Sequence, residues 1–167
     1  MTEARALGKS LFSLTKPRVV VLLQITAMCA ILSHNLIENN KINRDTLEIM
    51  MVVFIGGYLT AGGANCINMW YDRDIDPIMT RTSKRPLPVG DITPNEALIF
   101  GILISIIGIV WLLEMANEVA AFWALFSILF YVFIYTIWLK RTSVQNIVIG
   151  GIAGSTPPVI GWAAAEG

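Results

Sequence analysis

Residues 49–71 read IMMVVFIGGYLTAGGANCINMWY, twenty-three residues without a charge, and run directly into DRDIDP at 72–77. A helix of about 20 largely apolar residues crosses a hydrocarbon core, so this stretch is long enough to span a membrane. Four more charge-free stretches cover residues 19–37, 97–113, 119–139 and 142–165. Inside lipid every backbone amide must be satisfied within its own segment or a closed barrel, so runs of this length predict helices. The expected fold is therefore all-α, a polytopic transmembrane helix bundle with five spans, making residues 1–167 a single membrane domain. Pro157 and Pro158 predict a kink in the fifth span.

The composition agrees. Hydrophobic residues make up 55% of the chain and charged residues 14%, with a mean hydropathy of +0.65, whereas soluble domains carry about 25% charged residues. A net charge of zero leaves no electrostatic footprint for nucleic acid. Cys29 and Cys66 lie in separate apolar runs, which rules out a disulfide framework and any cysteine-based zinc spacing.

Basic residues set the expected sidedness. Arg5, Lys9, Lys16 and Arg18 precede the first span; Arg73, Arg81, Lys84 and Arg85 lie between the second and third; Lys140 and Arg141 lie between the fourth and fifth. Only Lys41 and Arg44 fall on the other side. Basic residues in short loops stay cytoplasmic, which places the N-terminus and the loop after the second span there. The first apolar run is too long for a signal-peptide core and lacks a small-x-small cleavage site. The expected location is a bacterial plasma (inner) membrane.

Residues 67–85, INMWYDRDIDPIMTRTSKR, carry the chemistry. Asn68, Asp72 and Asp76 are spaced i, i+4, i+8 and fall within about 80° of one helical face. Oxygen donors of this kind suit Mg²⁺, which takes one or two carboxylates together with substrate phosphates. Pro77 disfavours the α conformation at the residue before it, so the helix is expected to end near Asp76. Carboxylates at a helix C-terminus oppose the macrodipole, a conflict that a bound cation would resolve. The opposing reading is a solvated acidic loop paired with Arg73, Arg81 and Arg85. Basic side chains at Arg81, Lys84 and Arg85, beside the acids, suit a diphosphate. Asn68 and Asp76 are too far apart along a helix to share one ion, so a second acidic element is required.

NMWYDRDIDPIMTRTSKRPLP at 68–88 resembles the first aspartate-rich motif of the intramembrane aromatic prenyltransferases, and within them the branch that farnesylates protohaem IX. LTKPRVVVLLQITA, LKRTSVQNIVIGGIAG and TPPVIGWAA extend the resemblance over nearly the whole chain. It implies five spans of a nine-helix fold, with transfer of farnesyl from farnesyl diphosphate to a vinyl group of protohaem IX to give haem O. It further implies Mg²⁺ held by Asn68, Asp72 and Asp76, with Asp72 and Asp76 catalytic. Arg81, Lys84, Arg85, Arg18 and Lys140 would bind the diphosphate, membrane lipid would surround the bundle, and a haem A synthase is the partner enzyme suggested. The family's second aspartate-rich motif is not in these residues. The chain is accordingly expected to be an N-terminal fragment, inactive alone. The alternatives are a sister prenyltransferase with a 4-hydroxybenzoate, naphthoate or chlorin acceptor, a cation transporter, or a non-catalytic half-bundle.

His34, near the outer end of the first span, reads as a hydrogen-bonded helix-end residue rather than an iron ligand. Gly56, Gly57, Gly62, Gly63 and the Gly150/Gly154 pair read as close helix contacts, and Asn65 and Asn146 as cavity-lining or interhelical polar groups.

Overall fold

The computed structural model describes residues 2–38 and 41–167, with side chains from residue 7 onward. It is an all-α polytopic bundle. Helix α1 (Thr2–Leu14) precedes α2 (Pro17–Glu38), α3 (Arg44–Tyr71), α4 (Pro94–Met115) and α5 (Glu118–Leu129). α5 continues without a break through a π-helical segment, Phe130–Leu139, into the short α6 (Lys140–Thr142), and α7 (Asn146–Glu166) closes the chain. Five helical stretches are long and apolar enough to cross a membrane.

The helix starts are written in polar residues. Asn43 caps α3 and exchanges bonds with Thr46; Thr93 caps α4 in the same way with Glu96, with Pro94 in the first turn. Each box satisfies two otherwise unpaired backbone donors. Because Glu96 completes such a box, a helix start can lie outside a charge-free stretch.

Packing inverts the usual amphipathic rule. On α4 the buried positions are Ala97, Gly101, Ser105, Gly108 and Leu112, while Ile99, Ile102, Ile106 and Val110 are exposed. Lipid is as apolar as leucine, so helices associate through small residues that let backbones approach. A Cβ on Gly63 would sit 2.1 Å from Ser105 Oγ and 2.6 Å from the Gly101 carbonyl. Gly56 packs on Leu112 of α4, Gly62 on Thr15 and Gly150 on Tyr135, as close helix contacts require. Gly154 departs from that expectation: it meets nothing within 4 Å and lines a cavity.

α7 runs as helix through Pro157 and Pro158. Pro157 lacks the N–H that would bond the Ala153 carbonyl. Thr156 Oγ1 (2.8 Å) and Ser127 Oγ (3.4 Å) donate to that carbonyl instead.

Candidate active site

Helix α3 ends earlier than Pro77 alone dictates. The α-helix stops at Tyr71, and Asp72–Asp74 form one 3₁₀ turn. The Ile75 and Asp76 amides both donate to the Asp72 carbonyl, at 3.0 and 2.9 Å. The expectation of a helix reaching Asp76 is corrected by about one turn. The 3₁₀ tightening is a common way to use up the last carbonyls of a helix. It keeps Asn68 and Asp72 stacked at i, i+4, while Asp76 enters from the following turn.

Asn68, Asp72 and Asp76 are 3%, 0% and 2% exposed. Asn68 Nδ2 donates to Asp72 Oδ2 at 3.0 Å and to Thr136 Oγ1 at 3.2 Å. Three cations converge from three parts of the chain. Lys140 pairs with Asp72 Oδ2, Arg85 Nη1 donates to both carboxylate oxygens of Asp76 at 2.7 and 2.9 Å, and Lys16 Nζ donates to Asn68 Oδ1 at 2.8 Å. Three positive charges against two buried carboxylates leave the cluster electropositive, as an anion site requires.

Lys16 sits between α1 and α2 with φ +52°, the only non-glycine residue in the left-handed region among those described. That conformation is strained for a side chain with a Cβ and tends to mark functional positions. Burial, followed by the nearby Arg85 and Lys140 charges, brings its ammonium down to about 8.

The π-helical segment aims α6 at the site. The Lys140 amide donates to the Tyr135 carbonyl and Thr136 Oγ1 to the Tyr131 carbonyl, both five residues back. π segments are rare and gather at functional sites. Arg141, next to Lys140, forms two bonds to Asp74 at 2.7 and 2.8 Å and lies 4.5 Å over the Tyr71 ring.

Below this polar head lies a cavity of about 330 Å³ between α2, α3, α5, the π segment and α7. Its walls include Ala64, Asn65, Ile128, Tyr131 and Gly151. Asn65 Nδ2 donates to the Thr15 carbonyl in the α1–α2 turn at 3.1 Å, so it ties α3 to that turn as well as forming cavity wall, whereas among the described residues the Asn146 side chain bonds its neighbour Ser143.

The structure thus joins Asn68, Asp72, Asp76, Arg85 and Lys140. Arg18, Arg81 and Lys84 are exposed and make no hydrogen bond or ion pair among the described residues. Asp74, 56% exposed on its side chain and paired with Arg141, is the one acid that fits the solvated-loop reading. Lys16, Thr136, Tyr131 and Arg141 escaped the sequence reading; the Lys-Pro step at 16–17 and the charged pair at 140–141 were the available signals. His34 is 6% exposed and packs edge-on to Trp162, with Nδ1 unpartnered among the described residues.

The donor set fits part of a hard-cation shell. Asp72 Oδ1 is buried without a partner, and a carboxylate oxygen left so is costly unless a cation or donor meets it. Among the described residues no group of three or more His, Cys, Asp or Glu gathers, so other ligands must come from substrate or from elsewhere.

Comparison with known proteins identifies the family. The family model described as the UbiA prenyltransferase family matches residues 22–167. A protoheme IX farnesyltransferase of Symbiobacterium thermophilum is 48% identical over 155 residues, covering 93% of this chain and 50% of that protein. The corresponding protein of Pelagibacter ubique is 47% identical, covering 91% and 48%. Protoheme IX farnesyltransferase 2 of Mesorhizobium japonicum is 44% identical over all 167 residues, half its own length. The chain therefore spans about half the length of the curated relatives it matches. No solved structure matches it. On the strength of the family match, carried by a membrane bundle with a buried aspartate-asparagine head, the chain belongs to the UbiA prenyltransferase family.

Proposed function

We propose that this chain supplies the first half of an enzyme that moves a farnesyl group from farnesyl diphosphate to a vinyl group of protohaem IX, giving haem O. The observation that supports it most is the cation-flanked Asp72–Asp76 head, buried directly above an apolar cavity. A prenyl diphosphate has this division of chemistry, an anionic head on a hydrocarbon tail. The names of the relatives supply the acceptor.

Lys16, Arg85 and Lys140 bind the diphosphate oxygens, each exchanging part of its present partnership with Asn68, Asp76 or Asp72 for substrate. Arg81, Lys84 and Arg18, exposed near that end, guide the anion in. Asn68, Asp72 and Asp76 would hold Mg²⁺ with the diphosphate, and the metal would supply charge neutralisation for the departing diphosphate. Asn68 fixes the orientation of the Asp72 carboxylate through its amide, and Thr136 fixes Asn68. The apolar walls hold the tail and keep water from the allylic centre while one vinyl carbon bonds to C1 of the farnesyl group and diphosphate leaves; water then adds to the other vinyl carbon and loses a proton. A second acidic element from the rest of the protein completes the metal shell, so residues 1–167 alone are expected to be inactive. The head faces the cytoplasm of a bacterial inner membrane, and a haem A synthase consumes the product.

The test is haem extracted from membranes expressing the full-length protein that contains this chain. A haem heavier by one farnesyl group and one hydroxyl supports the reading. A prenylated 4-hydroxybenzoate, naphthoate or chlorin with no farnesylated haem overturns the acceptor, and Mg²⁺ uptake into vesicles without any prenyl transfer overturns the enzyme class.

A further inference from the structure

The cavity below the polar head is mostly apolar, yet besides Asn65 near the head a second carboxamide forms part of its deeper wall. Gln24 of α2 is 5% exposed, lies across Gly57 of α3, and donates from Nε2 to the Phe54 carbonyl at 3.1 Å. Its Oε1 is buried without any partner. The missing Cβ of Gly57 makes room for it: a methyl there would meet Gln24 Nε2 at 2.8 Å.

We propose that Gln24, seated against Gly57, sets the length of prenyl chain the cavity accepts. The inference rests on the reading of this site as a prenyl diphosphate site. Gly57 lies eleven residues before Asn68 on the same helix, a rise of about 16 Å. An isoprene unit contributes roughly 5 Å of extended chain, from C–C bonds near 1.5 Å, so three units reach about 15 Å and four about 20 Å. With the diphosphate at the level of Asn68, a farnesyl tail ends at Gln24. A fourth unit must lie across the carboxamide toward the floor formed by Ala27, Val53 and Ile160.

The chemistry opposes that extension. A terminal amide torsion is broad, so the Gln24 amide can turn toward space left below a farnesyl tail, where a water can meet Oε1. A hydrocarbon chain offers no donor, and laid over the amide it closes that route and leaves a polar group buried and unpaired. Gln24 is thus a specificity residue distant from the reacting atoms.

Two variants push the limit in opposite directions. Gln24→Leu removes the polar group at nearly constant volume. Gly57→Ala drives the flexible end of Gln24 into the cavity. Full-length protein in membranes is assayed with protohaem IX and the geranyl, farnesyl and geranylgeranyl diphosphates, the products being resolved by mass. Gln24→Leu is expected to raise kcat/KM for the C20 donor relative to C15 about tenfold. Gly57→Ala is expected to raise C10 relative to C15 by a similar factor. If farnesylation persists in either variant with wild-type chain-length ratios, Gln24 is no ruler while the proposed function stands. If wild-type protein farnesylates no haem, the functional reading falls and the ruler falls with it.

Discussion

The two ends of α3 carry the same side-chain types and solve opposite problems. At the N-terminal end Asn43 caps the helix, Asp45 sits in the first turn, and Arg44 pairs with Glu48 across side chains 89% and 63% exposed. Every charge there suits the macrodipole or is solvated. At the C-terminal end Asp72, Asp74 and Asp76 oppose the dipole, two of them are buried, and their counter-charges come from the α1–α2 junction, the loop before α4 and the end of the π segment. One end is arranged for helix stability. The other pays a local cost that only long-range partners offset, which is how a binding site differs from a cap.

The largest effect is expected from Asp72→Asn. It preserves shape but removes the negative charge facing Lys140 and puts a neutral amide where Asp72 Oδ1 now stands buried and unpartnered. On the proposed function, farnesylated haem in membranes holding the full-length protein should fall by about 10²–10³-fold, the loss expected for a group that stabilises developing charge. Lys140 also loses its partner, but its side chain is 28% exposed, so the cost is about 1 kcal/mol, visible as a slightly lower Tm in detergent. Near-normal product formation would make the C-terminal end a mere structural counterpart of the N-terminal one.

Much of this was legible in the sequence because lipid imposes strict rules. Charge-free runs of about 20 residues mean helices, and the five apolar stretches are five membrane-length helices in the structure. Asn68, Asp72 and Asp76 were legible because polar side chains beginning inside an apolar span are expensive. The cations divided differently. Arg85 and Lys140 reach the acids, while Arg81 and Lys84, four residues and one residue before Arg85, remain exposed. Sequence proximity cannot distinguish them, since the tight turns between Asp76 and Thr93 decide which side chain points inward. Lys16 was illegible for a related reason: its role depends on a left-handed backbone and on contacts more than fifty residues away. The π segment left no signature either, since its apolar residues fit an α-helix equally well.

Lys16 sharpens the comparison through pH. Its ammonium titrates near 8 instead of the ordinary 10.5. Between those values the unfolded chain holds a proton the folded one has released, so this group's contribution to stability rises with pH across that window. Anion binding responds in the opposite sense, because the neutral amine no longer attracts a phosphate oxygen. Affinity of the full-length protein for inorganic diphosphate should fall about threefold to tenfold more between pH 7 and 9 in wild type than in Lys16→Met. Identical pH profiles would remove Lys16 from the anion site.

The smallest effect belongs to the other end of the helix, and its smallness is the point. Asn43→Ala deletes the side chain that accepts from the Thr46 amide at 2.9 Å, and loss of such a cap costs about 1 kcal/mol. Arg44→Ala, which breaks only a solvated i, i+4 pair, should cost no more than about 0.5 kcal/mol. Both are read as Tm shifts in detergent, with haem farnesylation per folded molecule unchanged. That independence is expected because α3 is held along its length by close backbone packing against α4, so fraying its first turn does not displace Asn68 or Asp72 some six turns away. A fall in specific activity on removing the Asn43 cap would mean that the two ends communicate through the helix, and the division between a stabilising end and a working end would fail.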